Sequence, residues 1–176
     1  MERQFHSVTI QLAKGDITRQ PDLDAVINAA NAGLMPGGGV AGAIHRAAGA
    51  ELEAACRPLA PIDPGSAVIT PAFSLPNRHV IHCLGPVYGV DEPSDRLLTR
   101  CYERALDLAE EAKLGSLGFP AISTGAFAYP KRDAAAIALH VMVQRAPSLS
   151  AVRLIRFVLF SDDDLTIHRE ILAELG

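Results

Sequence analysis

Apolar positions along this chain fall into short β-branched runs separated by stretches of helical period. Residues 5–13 alternate loosely through Phe5, Val8, Ile10 and Leu12 and predict a first strand, closed by a turn at Lys14-Gly15-Asp16-Ile17-Thr18. Asp24–Ile27 predicts a second strand ending at Asn28. From Val40 to about Arg57 the period is helical, and Pro58, Pro61 and Pro64 then break the chain into a loop. Residues 66–70 and 79–83 read as two strands joined by a turn at Pro76-Asn77. Gly85–Gly89 is a loop, and Ser94 is expected to cap a helix with Leu97, Leu98, Cys101, Ala105, Leu108 and Ala112 on its apolar stripe. Ser116–Phe119 predicts a short buried strand, Pro120–Pro130 a loop of small residues, and residues 131–145 a helix. A strongly apolar strand at 152–160 is followed by a last helix capped by Ser161 or Asp162.

Strands alternating with helices imply an α/β fold, a mostly parallel sheet with helices on both faces. In such sheets ligands bind outside the carboxyl ends of the strands. Three unusual stretches fall at such ends: 28–39, 123–127 and 160–162. Two glycine-containing loops and one aromatic are thereby directed to a single crevice.

At 176 residues the chain is expected to form one domain, residues 1–176. Its net charge of −4 opposes the basic face of a non-specific nucleic-acid binder, and nine aromatics (six Phe, three Tyr) are few for stacking on single strands. Any phosphate must therefore be held largely by backbone dipoles. Cys56, Cys83 and Cys101 are scattered and read as small buried groups in a reducing compartment. With no apolar leader and no run of membrane-spanning length, a cytoplasmic location and no membrane partner are expected.

The most distinctive stretch is Val26 to Gly49. A strand end, two asparagines around two alanines, three glycines and a helix start would present unpaired N–H groups to an anion. The same residues also suit a merely flexible loop, and they match neither the P-loop nor the G-x-G-x-x-G fingerprint. Asp16 reads either as a turn residue or as an exposed acceptor at a site's rim. His79 and His82, three apart on a strand, point to opposite faces and cannot share a metal. His45 either approaches the site or packs beneath it. Asp162–Asp164 suit a helix N-terminus better than a metal cluster, and Ser123-Thr124-Gly125 lacks the nucleophile-elbow pattern. No metal site and no cofactor are implied.

Gly15-Asp16-Ile17-Thr18, Val26-Ile27-Asn28-Ala29-Ala30-Asn31, Gly37-Gly38-Gly39-Val40-Ala41-Gly42-Ala43-Ile44, Val80-Ile81-His82-Cys83-Leu84-Gly85-Pro86 and Ser123-Thr124-Gly125-Ala126-Phe127 together resemble a macrodomain, in order and spacing, across nearly the whole chain. The resemblance implies a three-layer α/β/α sandwich that binds ADP-ribose. It implies that Asp16 accepts from the adenine amino group with the Ile17 backbone beside it, and that Phe160 lies against the adenine. Gly37 to Val40 and Ser123 to Phe127, with Ala41 and Gly42 continuing the first loop, would wrap the diphosphate and distal sugar. Asn31 would hydrogen-bond the distal ribose as the key catalytic side chain, and Phe127 would cover that sugar. Asn28 is expected to satisfy loop backbone groups instead.

The chain most resembles the branch that removes ADP-ribose from modified proteins or deacetylates O-acetyl-ADP-ribose. Members of that branch often carry an aspartate where this chain has Ala41. The expected function is hydrolysis of mono-ADP-ribose esters, slow for want of that carboxylate. The expected partners are ADP-ribose with ADP-ribosylated proteins or O-acetyl-ADP-ribose, and nucleic acid only as an ADP-ribosylated end. A non-catalytic ADP-ribose reader is the alternative that Ala41 favours.

Overall fold

The computed structural model describes residues 1–176. Seven strands, β1 (Glu2–Phe5), β2 (Val8–Lys14), β3 (Ala25–Ala29), β4 (Ala67–Pro71), β5 (His79–Cys83), β6 (Ser116–Phe119) and β7 (Leu154–Leu159), form one sheet in the order β1-β2-β7-β6-β3-β5-β4. The five central strands are parallel, and β1 and β4 pair antiparallel at the edges. Five helices cover it: α1 (Gly39–Ala48), α2 (Ala50–Cys56), α3 (Ser94–Glu111), α4 (Lys131–Arg145) and α5 (Asp162–Glu174). This is the expected α/β/α sandwich with a mixed, mostly parallel sheet. No helix is long and apolar enough to cross a membrane.

Alternation along the strands divides the interior into two layers. Ala25 and Ile27 of β3, with Ile81 and Cys83 of β5, face the larger core. There they meet Leu98 and Cys101 of α3, Leu139 of α4 and Leu172 of α5. Val26 and Val80 face a smaller core closed by Ile44 and Ala48 of α1 and Leu52 and Cys56 of α2. β3 and β5 are buried on both faces, which is why they read as near-continuous apolar runs, whereas β2 alternates buried and half-buried positions.

Three boundaries differ from the sequence reading. The stretch 5–13 is not one strand: the chain reverses at His6 (φ +54°), and Glu2–Phe5 forms a polar edge strand whose only buried residue is Phe5. The helical run 40–57 is two helices divided at Gly49, whose φ of +92° is disfavoured for any residue with a Cβ. Ser94 does not cap α3 but is its first residue. Pro93 holds the cap position, and the Ser94 hydroxyl donates to the Asp91 carbonyl. Ser161 does cap α5, accepting from the Asp164 N–H at 3.1 Å.

Candidate functional site

A cleft of about 410 Å³ opens at the carboxyl ends of the central strands, between the loop that enters α1 and the loop that follows β6. Ala29, Ala30 and Asn31 form its floor beyond β3. Gly37 to Ala41 form one wall, and Ser123, Gly125, Ala126 and Phe127 the other, with Gly85, Ala121 and Ile122 closing the end. None of these lining side chains is titratable, so the cleft itself supplies neither a general base nor a formal positive charge.

The first wall is a helix N-terminus left open. Gly38 is the N-cap of α1 with extended backbone, no side chain caps it, and no acidic residue lies in the first turn. The initial N–H groups of α1 are thus unclaimed by side chains, and the helix dipole adds positive potential there. Gly42 is set behind this wall, not in it. A Cβ at Gly42 would fall 2.2 Å from the Gly37 carbonyl oxygen, so the loop folds back onto α1 only because that Cβ is missing.

The second wall is held in a strained turn. Ser123 (φ +68°) and Ala128 (φ +62°) both take the left-handed region, which costs about 1 kcal/mol or more for a residue with a Cβ. The turn is over-determined by the Tyr129 N–H donating to the Ser123 carbonyl (2.9 Å), the Ala128 N–H to the Gly125 carbonyl (3.0 Å) and the Tyr88 N–H to the Phe127 carbonyl (2.9 Å). The Ser123 hydroxyl is buried without a protein partner, and a Cβ at Gly85 would sit 2.1 Å from it. Thr124 turns away from the cleft and donates to the Ala121 carbonyl at 2.9 Å.

Asn31 clamps its own loop with one N–H and one oxygen lone pair, leaving the second of each free. Its Nδ2 donates to the Met35 carbonyl and its Oδ1 accepts from the Met35 N–H, both at 2.9 Å. This closes residues 31–35 into a tight turn and fixes the side chain at the cleft's edge. Ala41, 5 % exposed, presents only a methyl group.

Asp16, Ile17 and Phe160 do not line this cleft. They lie beside it, where the neighbouring strands β2 and β7 end and the Gly15 N–H donates to the Leu159 carbonyl at 3.0 Å. Phe160 is 90 % exposed, an unusual position for so large an apolar ring. Asp16 takes the turn role, and part of its carboxylate stays exposed. Its Oδ1 accepts from the Thr18 N–H (2.9 Å) and hydroxyl (2.7 Å), while Oδ2 has only Arg19, at 3.7 Å. The Thr18 hydrogen bonds, with Arg19 nearby, hold its carboxyl below the usual value, so it is ionised at neutral pH and its outer oxygen can accept a donor.

Beneath the first wall the sequence reading missed a buried polar cluster. Asn28 bonds not loop backbone but His82, with Nδ2 3.1 Å from the imidazole Nδ1. His82 is completely buried; its Nε2 lies 3.0 Å from the Thr70 hydroxyl and 3.8 Å from the Cys56 sulfur. Burial, with His45 nearby, drives the His82 pKa down to about 3, so the ring is neutral. His45 lies on the buried face of α1, its ring centroid 6.5 Å from that of His82, and burial lowers its pKa too. The register pairing Asn28 with His82 on adjacent strands makes this cluster possible, and no local pattern announces it.

The Asp162–Asp164 run pairs with lysines: Lys14 with Asp162 at 3.1 Å, and Lys131 with Asp163 and Asp164 at 3.4 and 3.3 Å. These pairs, exposed except at half-buried Asp164, bind α5 to its neighbours and form no part of the cleft.

Comparison with known proteins agrees with this geometry. The family model described as the Macro domain matches residues 27–138. A macro domain-containing protein of Chlorobaculum tepidum is 43 % identical over 168 residues, 95 % of this chain and 97 % of the relative. Among solved structures, an Oceanobacillus iheyensis macrodomain with ADP superposes with a TM-score of 0.94 at 39 % identity, covering 98 % of this chain and 94 % of that one. A Trypanosoma brucei macrodomain in complex with ADP-ribose gives 0.85 at 35 % identity, covering 93 % and 68 %. Family model, full-length relatives and superposition agree: this chain belongs to the macrodomain family.

Proposed function

We propose that the cleft binds ADP-ribose and that the protein hydrolyses mono-ADP-ribose esters, releasing ADP-ribose from Asp or Glu of modified proteins or acetate from O-acetyl-ADP-ribose. The observation that carries the binding reading is the pair of facing backbone walls, one an uncapped helix N-terminus and the other a strained turn, with no charged side chain between them. A diphosphate fits such a cleft because its charge can be met by N–H dipoles. The solved relatives with ADP and with ADP-ribose support the same ligand. The diphosphate lies between Gly37–Val40 and Ser123–Phe127. The adenine rests at Asp16, Ile17 and Phe160, and the distal ribose lies beside Asn31, beneath Phe127 and close to Ala41.

For the Asp and Glu esters, water attacks the anomeric carbon of the distal ribose. The bond from that carbon to the carboxylate oxygen breaks with its electron pair, and the proton lost by the water passes to solvent. An acetyl ester on another ribose hydroxyl is instead cleaved by water at its acyl carbon, leaving acetate and the free hydroxyl. A carboxylate of pKa about 4 needs no general acid to depart. With no titratable group in the lining, the attacking water is oriented by the ligand's own phosphate and by Asn31, whose geometry the Met35 clamp pre-sets. A general base ordinarily contributes about 100- to 10,000-fold, so turnover is slow.

Ala41 favours a second reading, a module that binds ADP-ribosylated proteins without turnover. Incubation with a protein mono-ADP-ribosylated on glutamate, alongside calorimetry with ADP-ribose, decides between them. Binding with release of ADP-ribose supports the hydrolase, and binding without release supports the reader. No binding refutes both.

A further inference from the structure

The peptide joining Asp16 to Ile17 is held by a side-chain relay that starts well outside the cleft. Gln20 Nε2 donates to the Asp16 carbonyl at 2.9 Å, alongside the Arg19 N–H at 3.0 Å. Gln20 Oε1 accepts from Arg156 Nη1 at 2.8 Å. Arg156 stands on β7 and is itself fixed by three further bonds. Two run to the Asp22 carboxylate in fork geometry, at 2.9 and 2.7 Å, and its Nε donates to Gln11 on β2 at 2.9 Å. The Gln20 carbonyl is tied to Asn77 Nδ2 at 2.8 Å, so backbone and side chain of Gln20 are both anchored.

A trans peptide is planar, with its C=O and N–H pointing in opposite directions. Two donors pulling the Asp16 carbonyl toward Gln20 therefore aim the Ile17 N–H the other way, and no protein group accepts from it. The Ile17 side chain is buried in the smaller core, which leaves its backbone as the presented part. The outer oxygen of Asp16 and the Ile17 N–H are then an acceptor and a donor on consecutive residues. That pair complements the amino group and ring nitrogen on the edge of adenine, and it clashes in polarity with a purine bearing a carbonyl there.

We propose that Gln20, braced by Arg156 and Asp22, is the positioning residue that sets purine selectivity, by locking the Asp16–Ile17 peptide in the orientation that reads adenine. The inference rests on ADP-ribose being the ligand. Arg156 has the rigid donor fork needed to hold Asp22 and Gln20 at once, which a lysine lacks. Gln20 touches no ligand in this scheme and acts through the peptide it holds.

The test compares affinities for ADP-ribose and for its analogue carrying hypoxanthine in place of adenine, by calorimetry. The wild-type chain is expected to prefer ADP-ribose by roughly tenfold or more, the worth of one well-placed hydrogen bond. Gln20→Leu removes the relay; Gln20→Glu keeps an acceptor for Arg156 but loses the donor to the Asp16 carbonyl. Both variants should weaken ADP-ribose about tenfold and leave the hypoxanthine analogue within about twofold, so that selectivity collapses. Parallel weakening of both ligands would mean that Gln20 only stabilises the loop, and unchanged selectivity would likewise overturn the proposal. Failure of the wild-type chain to bind ADP-ribose would instead overturn the ligand reading, a result distinguishable from either.

Discussion

Replacing Gly42 by alanine tests whether the first wall depends on close approach of its loop to α1. Gly→Ala inside a helix ordinarily stabilises by about 0.4–1 kcal/mol, because glycine surrenders more backbone entropy on folding. Here the added Cβ would sit 2.2 Å from the Gly37 oxygen and 3.2 Å from its carbonyl carbon. Carbon and oxygen in ordinary contact stand more than 3 Å apart, so the loop must retreat by about 1 Å. Arg46 Nη1, 2.9 Å from the same point, is the free end of a flexible side chain and can swing aside. The usual gain should therefore reverse into a loss of about 1–3 kcal/mol, as for overpacking elsewhere. At roughly 2–4 °C per kcal/mol for a domain of this size, the melting temperature should fall by about 2–12 °C. A 1 Å displacement of N–H donors should also weaken ADP-ribose by roughly tenfold or more. Gly38→Ala is the control for stability alone, since a Cβ there meets no protein atom within 4 Å and the backbone is extended, whereas the residue belongs to the wall that takes the diphosphate. Thermal melts on both variants and calorimetry on Gly42→Ala read the two effects. A Gly42→Ala protein that melts higher and binds normally would refute the close-approach account.

Asn31→Ala should lower turnover of an ADP-ribosyl ester more than it lowers ADP-ribose affinity, and equal losses would reduce Asn31 to a loop clamp. Ala41→Asp should raise turnover at least tenfold with little change in affinity, because it adds the carboxylate that the cleft lacks; an unchanged rate under single-turnover conditions would place the limit elsewhere. The folded protein disfavours protonated His82, whose pKa of about 3 lies below the unfolded value of about 6.5. The unfolded chain therefore takes up the proton first as pH falls. Stability is full above about pH 6.5 and is lost below it, by about 2 kcal/mol between pH 6.5 and 5 from this residue alone. Buried His45 and His168 add to the loss with the same sign. Urea titrations across that window should show the slope, shallower in His82→Gln, and a flat wild-type profile would count against a neutral buried ring.

Most of the secondary structure was legible because it is local. The 3.6-residue period of α3, the apolar run of β7 and the Ser161 cap each depend on residues within a turn or two of one another. Where the reading slipped, a single residue outweighed the pattern: His6 in the left-handed region divided β1 from β2, and Gly49 divided α1 from α2. The two loops of the candidate site were also visible as Gly37–Gly39 and Ser123–Phe127, since unpaired backbone at strand ends leaves a signature of small residues. Their convergence on one crevice is expected from their places at strand ends; the strand order makes them facing walls by setting β3 beside β6, although 86 residues separate Ala29 from Ser116. The partners of Asn28, the clamp of Asn31 and the relay from Arg156 through Gln20 to Asp16 were not legible in advance. Asn28 could have bonded any of several nearby backbone groups, and what selected His82 was the parallel register of β3 and β5. Sequence alone determined where the chain turns, what it buries and which backbone it leaves bare. Tertiary structure decided which polar atoms meet, because hydrogen bonds need a few tenths of an ångström of placement and only packed strands supply it.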